Sequence, residues 1–259
     1  MCIRVLSLLL LFTTIVNCHK IDSANTLTIG TIVGPETELV ELAKNIAAQK
    51  YGLHIKIIEF NDYNSPNEAL NDGSLDANIF QHLPYLQAAT QARNFDFEVI
   101  GKTFVYPMGI YANKLKNISE IKDYATIAIP NDPSNEERAL LLLAKAGLIT
   151  VKSTDRVVTM VNNPKHLKIK LLDAAQLPRI LSDVDAAVIN TNFAIPAGLN
   201  PNRDAIYKED QDSPYANLVV IRHNSLKKHQ IEQFIQTLHS QEVQKKAREI
   251  FNDAVIPAW

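Results

Sequence analysis

Arg138, a set of side-chain amides and a group of aromatic rings are the residues of this 259-residue chain whose types and spacing could do chemistry together. Arg138 follows Pro133-Ser134-Asn135 at the start of an apolar-periodic segment. Free backbone N–H groups at a helix start favour an anion, and a guanidinium fork can clasp a carboxylate with two parallel bonds. The same arginine could instead pair with Glu136 or Glu137. Asn135 and Asn190 fall where a strand meets a loop, where an amide can orient an amino group or a carboxylate, or simply stabilise a turn. Asn217 opens a strand and is a weak signal alone. Tyr63, Phe80, His82 and Tyr85 put three rings and an imidazole into one stretch, beside Asn, Gln and Pro. Burying an apolar side chain among such rings contributes roughly 1.5–3 kcal/mol.

These residues must be positioned by the elements around them, and the chain repeats one plan twice. Alternating residues predict a strand at 26–30. A loop with Gly34-Pro35 leads to a helix over 36–51 that Gly52 ends, followed by a strand at 54–60. A short helix over 67–71, stopped by Gly73, leads to a strand over 76–80. The middle of the chain gives a strand at 125–129 broken by Pro130, a helix over 136–146 with Gly147 behind it, and a strand at 168–172. A short helix over 177–181 and a second Asp-Ala strand over 183–190 complete the repeat. Strands alternating with helices imply parallel βαβ units, which bind ligands beyond the carboxyl ends of their strands.

The pattern is therefore α/β, with two lobes facing each other across a cleft, as in a type II-like periplasmic-binding-protein fold. One continuous doubly wound sheet is the alternative. Lobe 1 is expected over 26–108 plus 212–259, and lobe 2 over 109–211. The chain would cross between them near 105–112 and 201–214, where hinge rotation would close the lobes on a ligand. Tail helices over 228–238 and 242–251 should pack back on the first lobe.

The formal charge of -2 and the absence of a basic stripe give no footprint for nucleic acid. Both cysteines, Cys2 and Cys18, precede the body of the chain, so they supply it with neither a disulfide nor a zinc site. Arg4 followed by the apolar run 5–16 has the form of a secretory signal over 1–18, too short to span a bilayer stably. Residues 19–25 would form a tether. There is no Gly-x-Ser-x-Gly elbow, no His-Glu-x-x-His and no phosphate-binding glycine loop, and no acid is placed by sequence to orient His82. The chain is expected to bind rather than catalyse.

The two long blocks, 62–85 and 128–140, resemble the methionine-binding lipoproteins (NlpA/MetQ type) of bacterial ABC importers, and the resemblance covers almost the whole mature chain. It implies that Arg138 grips a ligand carboxylate, that Asn190 and Asn217 hold its amino group with help from Asn135, and that Tyr63, Phe80, His82 and Tyr85 surround a thioether. It also implies L-methionine, its D form or a related compound as ligand, an ABC permease with its ATPase as partners, and no cofactor or metal. Ile15-Val16-Asn17-Cys18 resembles a lipobox, implying a lipid on Cys18 that holds the exported protein at a membrane. A paralogue for another small amino acid or a methionine-containing dipeptide, or an adhesin on the same fold, stays open. Asn17 departs from the family pattern, as does Glu36, where many members carry His; both are expected to lie away from the pocket.

Overall fold

In a computed structural model of the chain, residues 25–154, 158–210 and 213–259 are described. The signal, nearly all of the tether and Cys18 lie outside them.

The first repeat runs β1 (Thr26–Ile32), α1 (Pro35–Tyr51), β2 (His54–Phe60), α2 (Ser65–Asn71), β3 (Ala77–His82), α3 (Leu83–Arg93) and β4 (Phe97–Val105). The second runs β5 (Gly109–Tyr111), β6 (Thr126–Pro130), α4 (Pro133–Lys145), β7 (Thr150–Ser153), β8 (Val158–Asn162), β9 (Lys168–Leu172), α5 (Leu177–Ile180), β10 (Ala186–Ile189), α6 (Thr191–Ala194) and β11 (Ala205–Lys208). The chain then returns with β12 (Ala216–Arg222), α7 (Lys228–Leu238), α8 (Gln241–Phe251) and β13 (Ile256–Pro257).

These strands form two separate mixed sheets, not one continuous sheet. The orders are β13-β4-β12-β3-β1-β2 and β11-β5-β10-β6-β9, with β7 and β8 as a separate hairpin. Each sheet has a parallel trio, β2-β1-β3 or β9-β6-β10, flanked by an antiparallel strand, β12 beside β3 and β5 beside β10. The chain passes between the sheets at 106–108 and again after β11.

The repeated Asp-Ala motif has one physical role in both halves. Asp76 accepts the Thr28 N–H through its carboxylate at 2.7 Å and donates its own N–H to the Thr28 carbonyl at 2.8 Å. Asp185 does the same with Thr126, at 2.7 Å and 3.0 Å. Each aspartate thereby fixes the register of the strand it opens against the central strand of its parallel trio, β1 or β6. Beside the first clamp Leu75 packs over Gly30, where a Cβ would lie 2.4 Å from Leu75 Cδ1 and would displace that side chain.

Leu39, Val40, Ala43 and Ala47 on one face of α1 meet Ile231, Phe234, Leu238, Val243 and Phe251 of the tail helices in the core of the first lobe. Ile127, Ile129 and Val188 centre the second core, against Ala139, Leu142 and Leu143 of α4. Helix α4 starts three residues before its expected first residue because Asp132 caps it, accepting the Asn135 N–H at 2.9 Å.

Candidate binding site between the lobes

Strand ends and helix starts converge on one narrow cleft between the lobes. Phe80 and His82 finish β3, Tyr85 lies in the first turn of α3, and Tyr63 lies in the loop before α2. Asn217, at the start of antiparallel β12, is paired with His82 in the ladder, so the strand's beginning lies beside the end of β3. From the other lobe come Asn135 and Arg138 on α4, and Asn190 at the N-cap of α6. All eight residues singled out from the sequence line this cleft, together with Gln81, Tyr106, Thr191 and Asn192.

The apolar wall is a ring cluster. Tyr63 stacks on Phe80 at 5.9 Å, and Tyr85 stands edge-on to both at 5.8 Å. Phe193 of the second lobe closes on Tyr63 at 5.0 Å. The Tyr85 hydroxyl donates to the Tyr63 carbonyl at 2.8 Å, fixing the loop against the helix. Burial raises the Tyr85 phenol further from ionisation, so the wall stays neutral.

His82 is a spacer rather than a base. Its Nδ1 accepts the Tyr85 N–H at 3.3 Å, capping α3, which leaves the proton on Nε2, 3.4 Å from Asn135 Oδ1. Burial, with the Arg138 charge adding to it, lowers the imidazole to about 3. Across the cleft Asn135 Oδ1 also receives the Asn190 amide at 2.9 Å, and Asn135 Nδ2 is held by both Asp132 carboxylate oxygens at 3.0 Å.

Arg138 is buried and already engaged, with a partner other than the neighbouring glutamates. Its Nε and Nη2 donate to the two carboxylate oxygens of Glu209 at 2.7 and 2.6 Å, and Nη2 also reaches the Tyr106 carbonyl at 2.9 Å. The guanidinium lies over the Tyr215 ring, 4.2 Å from its centre. Nη1 is left outside this network. Glu209 in turn accepts the Met108 N–H at 2.9 Å, so the pair ties the two crossings to each other.

Glu36 corrects the expectation that it lies apart from the pocket. It does not line the cleft, but its buried carboxylate accepts the Asn217 amide at 3.1 and 3.3 Å and the Asn192 amide at 3.3 Å, and both of those residues do. Desolvation pushes it up to about 7, against the pull of the Asn217, Tyr106 and Asn192 side chains. With the His82–Asn135 contact, these bonds join one lobe to the other. Gln81, Tyr106, Thr191 and Asn192 were also missed as lining residues, although Gln81 and Thr191 adjoin residues the sequence had singled out.

The side-chain oxygens of Asn190 and Asn192 are buried and have no partner. A cleft with a guanidinium, unsatisfied amide acceptors and an aromatic wall is complementary to a small zwitterion with an apolar side chain. No group of three or more metal-ligating side chains is found among the described residues.

The family described as NlpA lipoprotein matches residues 27–259. The D-methionine-binding lipoprotein MetQ of Escherichia coli strain K12 is 44% identical over 241 residues, covering 91% of this chain and 89% of that protein. A periplasmic substrate-binding protein of an ABC transporter from Coxiella burnetii is 54% identical with a TM-score of 0.84, over 90% of this chain and 100% of its own. A nutrient-binding protein from Burkholderia cenocepacia, bound to methionine, is 43% identical with a TM-score of 0.86, over 90% of this chain and 100% of its own.

Proposed function

Because this chain belongs to the NlpA lipoprotein family, we propose that it captures methionine outside the cytoplasm and delivers it to an ABC importer. The observation that carries this reading is the convergence of Arg138, the unpartnered amide oxygens and the Tyr63–Phe80–Tyr85 wall on one cleft. Arg138 takes the ligand carboxylate, the amides of Asn190 and Asn217 face its ammonium, and Asn135 braces Asn190. The rings of Tyr63, Phe80 and Tyr85, with His82 at their edge, enclose the thioether, where each sulfur–aromatic contact contributes about 0.3–1.5 kcal/mol. The chain acts as a binding protein and not a catalyst, since its one cleft imidazole is locked neutral between Tyr85 and Asn135. A permease with its ATPase receives the closed pair of lobes.

The test is a thermal melt of protein refolded free of ligand, with and without L- and D-methionine. At a hundredfold excess over Kd, binding adds about 2.7 kcal/mol, which for a domain of this size raises the midpoint by roughly 5–10 °C. No shift with either enantiomer, against a shift with another amino acid, would assign the cleft to that amino acid instead.

Anchoring follows from Cys18. Each methylene of a lipid chain buried in the bilayer contributes about 0.8 kcal/mol, so two or three acyl chains suffice to hold the protein. Intact-mass analysis of the membrane fraction should show a chain that begins at Cys18 and carries the mass of the acyl groups. An unmodified chain free in the soluble fraction would remove the anchor from this account.

A further inference from the structure

We infer that Glu36 is a positioning residue: by receiving the side-chain amides of Asn217 from one lobe and Asn192 from the other, its carboxylate turns both amide oxygens toward the ammonium group of the ligand. The inference rests on the reading of the ligand as an amino acid.

A carboxylate only accepts hydrogen bonds, whereas a side-chain amide has its donor and acceptor on opposite sides. Asn217 Nδ2 lies 3.1 and 3.3 Å from the two Glu36 oxygens, and Asn192 Nδ2 lies 3.3 Å from one of them. With both nitrogens committed to the same anion, neither amide can reverse without setting its oxygen against a carboxylate oxygen. Asn192 Oδ1 is consequently buried with no donor. Asn190 reaches the same polarity by a different route, its Nδ2 being committed to Asn135. A buried acceptor left without a donor retains its full desolvation cost. The group best able to relieve several at once is an ammonium, with three donors and no acceptor. Glu36 lies in the first turn of α1, where the helix dipole favours its charged form.

The titratable groups that face Glu36 are the phenols of Tyr106, in the crossing after β4, and Tyr63, in the loop before α2. Burial holds both well above their ordinary range, so they stay neutral. The amides of Asn217 and Asn192 meet it from β12 and α6. Desolvation brings Glu36 itself up to about 7, so part of the free protein holds a proton there at neutral pH. An ammonium beside the amides favours the anion. Binding of an amino acid therefore expels that proton, and affinity falls as pH drops below about 7.

The experiment is isothermal titration of the wild type and Glu36→Gln with methionine and with 4-(methylthio)butanoate, which is the same molecule without its amino group. Glutamine has a single acceptor atom: with its oxygen where Glu36 Oε2 receives both amides, its own NH2 stands at the Oε1 position, 3.1 Å from Asn217 Nδ2 and donor against donor, so Asn217 is the amide that must turn. Glu36→Gln should weaken methionine by about tenfold or more while leaving the des-amino compound within about twofold. Titration of the wild type near pH 7, in buffers of different ionisation enthalpy, should show proton release with methionine and none with the des-amino compound. That arm also decides the matter if the variant does not fold. Equal losses for both ligands, no loss for either, or equal proton release with both would overturn the inference. A wild type that binds no methionine fails the proposed function instead.

Discussion

Arg138→Ala should weaken methionine binding by about one to two orders of magnitude and also destabilise the fold. A charge-assisted hydrogen bond contributes about 1.5–3 kcal/mol, which corresponds to roughly a 10- to 150-fold loss in affinity. The structural cost is separate. Glu209, bonded through both oxygens to the same guanidinium, becomes a buried anion without its cation, and breaking such a pair costs about 3–5 kcal/mol. The double variant Arg138→Ala with Glu209→Gln separates the two effects, because it removes the stranded charge. It should recover most of the stability in urea denaturation and none of the binding. Arg138→Lys should rescue poorly, since an ammonium cannot span both Glu209 oxygens and the Tyr106 carbonyl while covering the Tyr215 ring. Wild-type affinity in Arg138→Ala by calorimetry would show that the ligand carboxylate is held elsewhere.

Phe80→Ala costs about 3–5 kcal/mol of stability, the range for removing a large aromatic from a packed core. The ring is 4% exposed and meets both Tyr63 and Tyr85, with each such aromatic pair contributing about 0.5–1.5 kcal/mol beyond area burial. Its loss also opens the wall against which an apolar ligand side chain rests, so methionine affinity falls with it. Phe80→Leu keeps an apolar filling and should lose much less stability while still weakening the ligand. Urea denaturation and calorimetry on the two variants provide the check. A loss below about 1 kcal/mol in Phe80→Ala would mean that the three rings do not act as one packed unit.

The two-sheet architecture was legible in the sequence because each half carries local signals that agree. Asp76-Ala77 and Asp185-Ala186 announce the same strand start, and in both lobes the aspartate clamps the backbone of the central parallel strand, β1 or β6. The strand β2 was expected over its full length, and the helices α1 and α7 within a residue at each end. The start of α4 was set too late because the cap, Asp132, lies before Pro133-Ser134-Asn135, a stretch that looks like a loop and is the first turn. The cleft residues were legible as types at strand exits. Their mutual bonding was not, since it depends on partners far apart in the chain. Arg138 meets Glu209 across 71 residues, and Glu36 meets Asn217 across 181. No periodicity encodes such pairs. Glu36 was expected to lie away from the pocket, while its side chain, in the first turn of α1, turns inward between the lobes.

Arg138 presents itself to the cleft as a neutralised cation, and that has a consequence for what can compete there. The Glu209 carboxylate cancels its charge at 2.6 Å, so the entrance offers little net field to draw in anions from solution. Acetate, chloride or phosphate would add uncompensated negative charge to a buried pair and leave the amide oxygens unserved. A zwitterion adds no net charge, supplying an anion to one end and a cation to the other. Discrimination against the abundant small ions around the protein thus draws on electroneutrality as well as on the apolar wall, which they cannot fill, and capture should vary little with ionic strength.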